Sequence, residues 1–206
     1  PMLAYPVSSK PIDYSKPVYM QPKLDGVRCL IQSDKIAGKK RQITAYSRTG
    51  KVWKNIDHIL SELMPFFVKH PNVVLDGELY NHDFRDDFES IISMVRKTKP
   101  TDEDRRISAL NVQFHCYDMV NKRMKFSTRD KWLASNLPLG FGIKKVKTQV
   151  IDESKYSLTT GDMIAKSKHT QNLLDGYEGS IVRLDTPYQC KRSHSLRKFK
   201  DFEDAE

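Results

Sequence analysis

The stretch Val18-Tyr19-Met20-Gln21-Pro22-Lys23-Leu24-Asp25-Gly26-Val27-Arg28-Cys29-Leu30-Ile31-Gln32 sets the reading of the whole 206-residue chain. Short apolar clusters flank Lys23-Leu24-Asp25-Gly26, the pattern of a strand, a tight turn and a second strand. That turn carries a lysine, a carboxylate, a glycine and an arginine within one hairpin-sized segment. A lysine amine attacks only as the free base, and an ordinary pKa of about 10.4 leaves little of that form at neutral pH. Burial or a neighbouring cation is needed to activate it. Gly26 would let the backbone turn tightly, and Arg28 would offer a planar donor fork to a phosphate or ribose. By itself the hexapeptide reads as a charged surface turn with a salt bridge.

Residues 1–17, upstream, are dotted with proline and are expected to form an irregular arm. Residues 33–42 read as a polar loop around Gly38, and Ile43 to Ser47 resumes as a strand. Ile56, Ile59, Leu60, Leu63, Phe66 and Phe67 recur at helical spacing, with that face in the core. Val73-Val74-Leu75 predicts a short buried strand ending at Asp76-Gly77-Glu78. Phe88, Ile91, Ile92 and Val95 mark a second helix, followed by a charged loop from Thr98 to Arg106. Val112 to Met119 predicts a strand, Ser127 to Asn136 a helix capped by its serine, and Lys144 to Val150 a strand. Thr160 to Leu174 reads as a further helix, with Ser180 to Leu184 and Leu196 to Lys200 as closing strands. Strands and helices do not alternate regularly, which disfavours a doubly wound parallel sheet. The expected class is α+β, with twisted, mostly antiparallel sheets flanked by helices.

Thirty-five basic against 26 acidic residues give a formal net charge of +9, which points to a polyanionic partner. Nucleic acid fits better than a membrane, because no strongly amphipathic basic helix is evident. A solubilising surface would explain the same charge. No stretch approaches the roughly 20 apolar residues of a spanning helix. The opening residues lack the layout of a secretory signal, so an intracellular, aqueous setting is expected. Cys29, Cys116 and Cys190 are odd in number and far apart, the pattern of free thiols. The six histidines show no metal-ligand spacing, and zinc is not expected.

Charged groups recur where predicted strands end. Asp76-Gly77-Glu78 follows one apolar strand, Tyr117-Asp118 ends another, and Glu178-Gly179 precedes Ser180-Ile181-Val182. Arg192, Lys198 and Lys200 add a late cationic group. Nucleotidyl transfer needs this inventory: a nucleophile, cations for a triphosphate, carboxylates for magnesium, and an aromatic plane for a base. From Gln21 to Lys200, the order and spacing resemble the covalent nucleotidyltransferase superfamily of ATP-dependent DNA ligases, RNA ligases and mRNA capping enzymes. Lys23 to Arg28 resembles the family's Lys-x-Asp-Gly-x-Arg motif, and Ser47-Arg48 the short segment that follows it. Leu75-Asp76-Gly77-Glu78-Leu79 is similar to the Asp-Gly-Glu motif as DNA ligases write it. Phe114 to Asp118 resembles the aromatic-Asp motif, Glu178-Gly179 the Glu-Gly motif, and Lys198-Phe199-Lys200 the final Lys-x-Lys. The Asp-Gly-Glu form and the six-residue step from Arg192 to Lys198 favour a DNA ligase, and the short arm before Val18 makes a small viral or bacterial type the nearer match.

The resemblance implies a nucleotidyltransferase (ATP-grasp-like) fold, with residues 1–206 as one adenylation domain and 1–17 as its arm. It implies that Lys23 attacks ATP, holds AMP as a phosphoramidate, and passes it to the 5′-phosphate of a nick in double-stranded DNA. The 3′-hydroxyl then seals the strand, as repair, replication and recombination require. Lys198 and Lys200 would share catalysis by neutralising the α-phosphate. Gln21, Arg28, Arg48, Glu78, Tyr117, Val182 and Arg192 would join the three lysines in binding the nucleotide. Tyr117 would stack on adenine, where many relatives have phenylalanine. The Gln21 amide oxygen would accept from the adenine amino group, where many have glutamate. Glu178 would hold Mg2+ or Mn2+, and Glu78 the ribose hydroxyl or the metal. Lys39-Lys40-Arg41, Arg105-Arg106, Lys144, Lys145 and Lys147 would meet the DNA backbone without reading sequence, or form a solvated face. A monomer is expected, cytoplasmic, or nuclear in a eukaryote. The chain ends just after Lys200, so the OB-fold domain of complete ligases is expected to be absent and reaction with ATP slow or absent. The alternatives are an RNA ligase, a capping guanylyltransferase, or a non-catalytic nucleic-acid-binding domain.

Overall fold

A computed structural model of the chain describes residues 1–35, 41–155 and 159–200. The strands and helices, in chain order, are β1 (Leu3–Pro6), β2 (Val18–Lys23), β3 (Val27–Asp34), β4 (Gln42–Tyr46), α1 (Asp57–Lys69), β5 (Val74–Tyr80), α2 (Phe88–Val95) and α3 (Asp102–Asn111). There follow β6 (Gln113–Met119), α4 (Phe126–Asn136), β7 (Ile143–Lys145), β8 (Gln149–Ile151), α5 (Gly161–Leu174), β9 (Gly179–Leu184) and β10 (Arg192–Phe199). The described residues form two five-stranded sheets, β1-β10-β9-β2-β8 and β4-β3-β5-β6-β7. Within them β1–β10 and β6–β7 pair in parallel, and the other pairings are antiparallel. This is the predicted α+β class. No helix among the described residues is long and apolar enough to cross a membrane. The three cysteines are unbridged, as expected.

The chain divides into two compact units. The first holds Pro1–Leu24, Asn121–Asp130 and Val146–Glu206, and with them the first sheet. Val18, Met20, Ile151, Ile164, Ala165 and Val182 form its core, between one face of that sheet and α5. The second unit holds Asp25–Val120 and Lys131–Lys145, and with them the second sheet. Ile59, Leu63, Phe66 and Phe67 of α1 pack with Ile31, Leu75, Phe114 and Ile143 in its core, on the helical face predicted for them. The unit boundary falls between Leu24 and Asp25, inside the lysine motif.

Several expectations are corrected. The arm of residues 1–17 contributes a strand, because Leu3–Pro6 pairs in parallel with β10 from Leu3↔Arg192 onward. A partner that far along the chain leaves no local signature, and a proline at the end of an edge strand sacrifices no ladder bond. The charged loop from Thr98 to Arg106 is largely α3, opened by a reciprocal capping box between Thr101 and Asp104. Its helical phase was hidden because Ser108 is its one buried position. β5 does not stop at Asp76 but runs through Asp76-Gly77-Glu78 to Tyr80. The strand expected from Lys144 to Val150 is two strands, one in each sheet. Ser127 is no helix cap: its amide and hydroxyl both donate to Asp185. Half of the predicted Gly38 loop, residues 36–40, lies outside the described residues.

Candidate active site

Strands β2, β9 and β10 lie side by side in the first unit, with Gln21↔Ile181, Lys23↔Gly179 and Lys198↔Ile181 in register. Residues directly opposite across an antiparallel pair share a face, and successive residues alternate. Gln21, Lys23, Ile181 and Lys198 therefore stand on one face, while Met20 and Val182, also paired, point into the core. This corrects Val182 as a nucleotide contact: it is 1% exposed among Val18, Met20 and Ile164. Ile181 takes its place on the Lys23 face. Counting by twos from Lys23 and its opposite number Gly179 would have found it.

Glu178 joins two lysines. Its Oε2 accepts from Lys23 Nζ and its Oε1 pairs with Lys200 Nζ. All three side chains keep about a fifth of their surface exposed, at 22%, 23% and 21% for Lys23, Glu178 and Lys200. The Glu178 amide also donates to the Lys23 carbonyl at 3.2 Å, so backbone and side chain hold the same pair. Burial pushes the Glu178 carboxyl up, but Lys200 and Lys23 outweigh it and hold it below the usual range. Gly179 is required next to it, because its φ is 153° and a Cβ there would collide with the Phe199 carbonyl. That close approach is what brings the start of β9 against the end of β10, and Glu178 against Lys200.

Gln21 is 1% exposed and belongs to a polar chain that the sequence did not reveal. Thr148 Oγ1 donates to Asp130 at 2.8 Å, so it accepts from Gln21 Nε2 at 3.0 Å. The amide oxygen is thereby turned to Arg183, whose Nε donates to it at 2.7 Å. The oxygen assigned to the adenine amino group is thus already engaged, and Arg183, 4% exposed, sits on the same face two residues beyond Ile181. Arg192 is exposed at the other end of β10, donating to the Ala4 carbonyl at 2.7 Å and lying 5.6 Å from the Tyr5 ring centre.

The second unit gathers another set. Arg28 donates to both oxygens of Asp76, from Nε and Nη2 at 2.6 Å each, and its guanidinium lies 5.2 Å from the Tyr117 ring centre. The Tyr117 hydroxyl donates to Glu78 Oε2 at 3.2 Å. Asp76 is 1% exposed, and its pairing with Arg28 is a contact the motif reading missed. Gly26 is needed for proximity as well as turning, since a Cβ would stand 2.5 Å from the Leu79 carbonyl and 2.7 Å from Glu78 Cγ. Arg48 is exposed in the turn after β4, without an ion-pair or hydrogen-bond partner among the described residues. Arg105 pairs with Asp57, Arg106 with Glu103, and Arg41 donates to the Ser33 and Pro71 carbonyls. Lys39 and Lys40 lie outside the described residues, Lys147 is exposed, and Lys144 and Lys145 are half-buried.

Among the described residues no three His, Cys, Asp or Glu side chains group closely enough to hold a metal ion. Glu178 offers one carboxylate, both of whose oxygens are engaged by lysine. A hard divalent cation there would have to complete its shell from substrate oxygens.

No curated protein sequence matches this chain. A solved structure named "Pmar-Lig_Pre." superposes with a TM-score of 0.73 at 24% identity, over 97% of this chain and 46% of that one. A Chlorella virus DNA ligase-adenylate gives 0.66 at 20% identity over 100% and 68% of the two chains. An archaeal ATP-dependent RNA ligase gives 0.56 at 17% identity over 90% and 42%. At such identities the likeness shows the fold, and this chain spans about half the length of the first structure, 46%. The model of the ATP dependent DNA ligase domain matches residues 1–200, from β1 to the lysine that closes on Glu178. By that match the chain belongs to the ATP-dependent DNA ligase domain family.

Proposed function

We propose that this chain is the adenylation core of a DNA ligase, which takes AMP from ATP onto Lys23 and delivers it to the 5′-phosphate of a nick in double-stranded DNA. The observation that carries the reading is the bridge of Lys23 and Lys200 by a single carboxylate, Glu178, on the face that also presents Lys198. Two ammonium groups on one carboxylate leave a local surplus of positive charge. A triphosphate entering there exchanges part of the Glu178 pairing for phosphoryl oxygens, and Lys200 and Lys198 stabilise the charge that grows as the bond to pyrophosphate stretches.

In the first step the free amine of Lys23 forms a P–N bond to the α-phosphorus, the P–O bond to pyrophosphate breaks, and the amine loses its proton to solvent. The 5′-phosphate of the nick then displaces Lys23 from the AMP phosphorus. Last, the 3′-hydroxyl attacks the activated 5′-phosphate, releases AMP and closes the strand. Arg48 and Arg192, both exposed, serve as phosphate contacts. Arg28 is bound by Asp76 and acts chiefly by supporting Tyr117, whose opposite face takes the adenine. Glu78, held by the Tyr117 hydroxyl, meets the ribose. Glu178 and Glu78 are the carboxylates that would hold Mg2+ or Mn2+, which would supply charge neutralisation when bound.

The test is a single turnover of AMP-charged protein on a nicked duplex with a 5′-phosphate, where slow charging cannot hide the later steps. Sealing of nicked DNA, lost in Lys23→Ala, is expected. Sealing confined to nicked RNA would move the protein to the RNA ligases, whose fold it shares. Charging by GTP in preference to ATP would make it a capping enzyme.

A further inference from the structure

The proposed reaction gives no part to His169, yet this α5 residue lies under the pairing of β9 with β10 and is 4% exposed. Its ring is stacked flat on Phe199, with centroids 3.8 Å apart and planes 9° from parallel. Its Nδ1 is 3.0 Å from Ser180 Oγ, and Asn172 Nδ2 donates to the same hydroxyl at 2.8 Å. Phe199 and Ser180 are themselves opposite each other across the sheet. Phe199 stands between Lys198 and Lys200, and Ser180 stands two residues after Glu178. The imidazole also abuts the bare Gly179, where an added Cβ would lie 3.5 Å from His169 Cε1.

One buried ring therefore grips, from the core side, both strand segments whose other face carries the charges. Alternation along β10 turns the Phe199 side chain away from Lys198 and Lys200, so fixing that ring fixes the backbone that aims the two lysines. The hydroxyl contact does the same for β9 behind Glu178. A leucine at 169 would fill the space but leave Ser180 one partner short, so packing alone does not account for a histidine here.

We infer that His169 is a positioning residue, acting through Phe199 and Ser180 to set the offset of Lys198 and Lys200 from Glu178. The inference rests on the proposed role of that cluster. Placing reacting groups falsely by a fraction of an ångström to an ångström costs about tenfold to a hundredfold in rate. His169→Ala should therefore slow AMP transfer from Lys23 to a nick by about tenfold or more in single turnovers, counted per folded molecule. The nick concentration giving half the maximal rate should stay within about threefold. His169→Phe keeps the stack and loses the hydroxyl contact, and should recover part of the lost rate.

The discriminating measurement is a double-mutant cycle with Lys200→Ala. If His169 acts through the lysine, His169→Ala costs less than about twofold in that background. Equal factors in both backgrounds, or no rescue by phenylalanine, would show a merely structural histidine and overturn the inference. Failure of the wild-type protein to transfer AMP from Lys23 at all would overturn the proposed function, and this inference with it.

Discussion

The Lys23 cluster of the first unit and the Arg28 cluster of the second are made of the same kinds of residue and have opposite characters. Lys23 and Lys200 share one carboxylate with about a fifth of each side chain in contact with solvent. Water reaches all three side chains, and Glu178 divides its two oxygens between two lysines, so an incoming phosphate can take over part of that pairing. Arg28 instead spends two parallel hydrogen bonds on an Asp76 that is 1% exposed. Breaking such a buried pair leaves an uncompensated charge and costs roughly 3–5 kcal/mol. The first arrangement suits a site that must trade partners during a reaction, and the second suits the frame that holds a ring and a carboxylate in place.

The comparison is sharpened most by removing charges from the first cluster. Lys200→Ala, or Glu178→Ala, should cut AMP transfer by about a hundredfold or more, the scale of one lost transition-state donor. The urea midpoint should move little. A large stability loss with retained transfer would reverse the assignment of the two clusters. Asp76→Asn should do the opposite, lowering unfolding stability by roughly 3 kcal/mol through the stranded Arg28, as read from a denaturant titration. Tyr117→Phe keeps the ring under Arg28 but frees Glu78 of its hydroxyl donor. About 1 kcal/mol of positioning is lost, a rate effect below about tenfold with the fold intact.

A smaller effect concerns pH. Burial, aided by Lys144 and His82, pushes His115 down to about 4. The unfolded chain then binds a proton at this site that the folded chain refuses, between an ordinary histidine value of about 6.5 and about 4. Stability contributed above that window is lost as pH falls through it. His115→Gln should flatten the acid side of the stability profile, and an unchanged profile would show that His115 takes up its proton freely in the fold.

What the sequence carried and what it hid differ by range. The order of Lys23, Asp76-Gly77-Glu78, Tyr117-Asp118, Glu178-Gly179 and Lys198-Phe199-Lys200 was legible because each is a short local pattern. The α+β class followed from irregular alternation of periods. Which of Ile181 and Val182 faces the lysine depends on a register between strands more than 150 residues apart, and the slip of one position reverses the face. The partners of Gln21, at Thr148 and Arg183, come from two distant segments and leave no spacing to read. β1 was hidden for the same reason, and α3 because its helix has too little buried face to show a period.

The central claim is that Lys23 becomes the carrier of AMP. Intact-mass measurement after prolonged incubation with ATP, followed by peptide mapping, tests it most directly. The account predicts an AMP-sized increase located on Lys23 and absent from Lys23→Ala. An adduct of the same mass that persists in Lys23→Ala would contradict it.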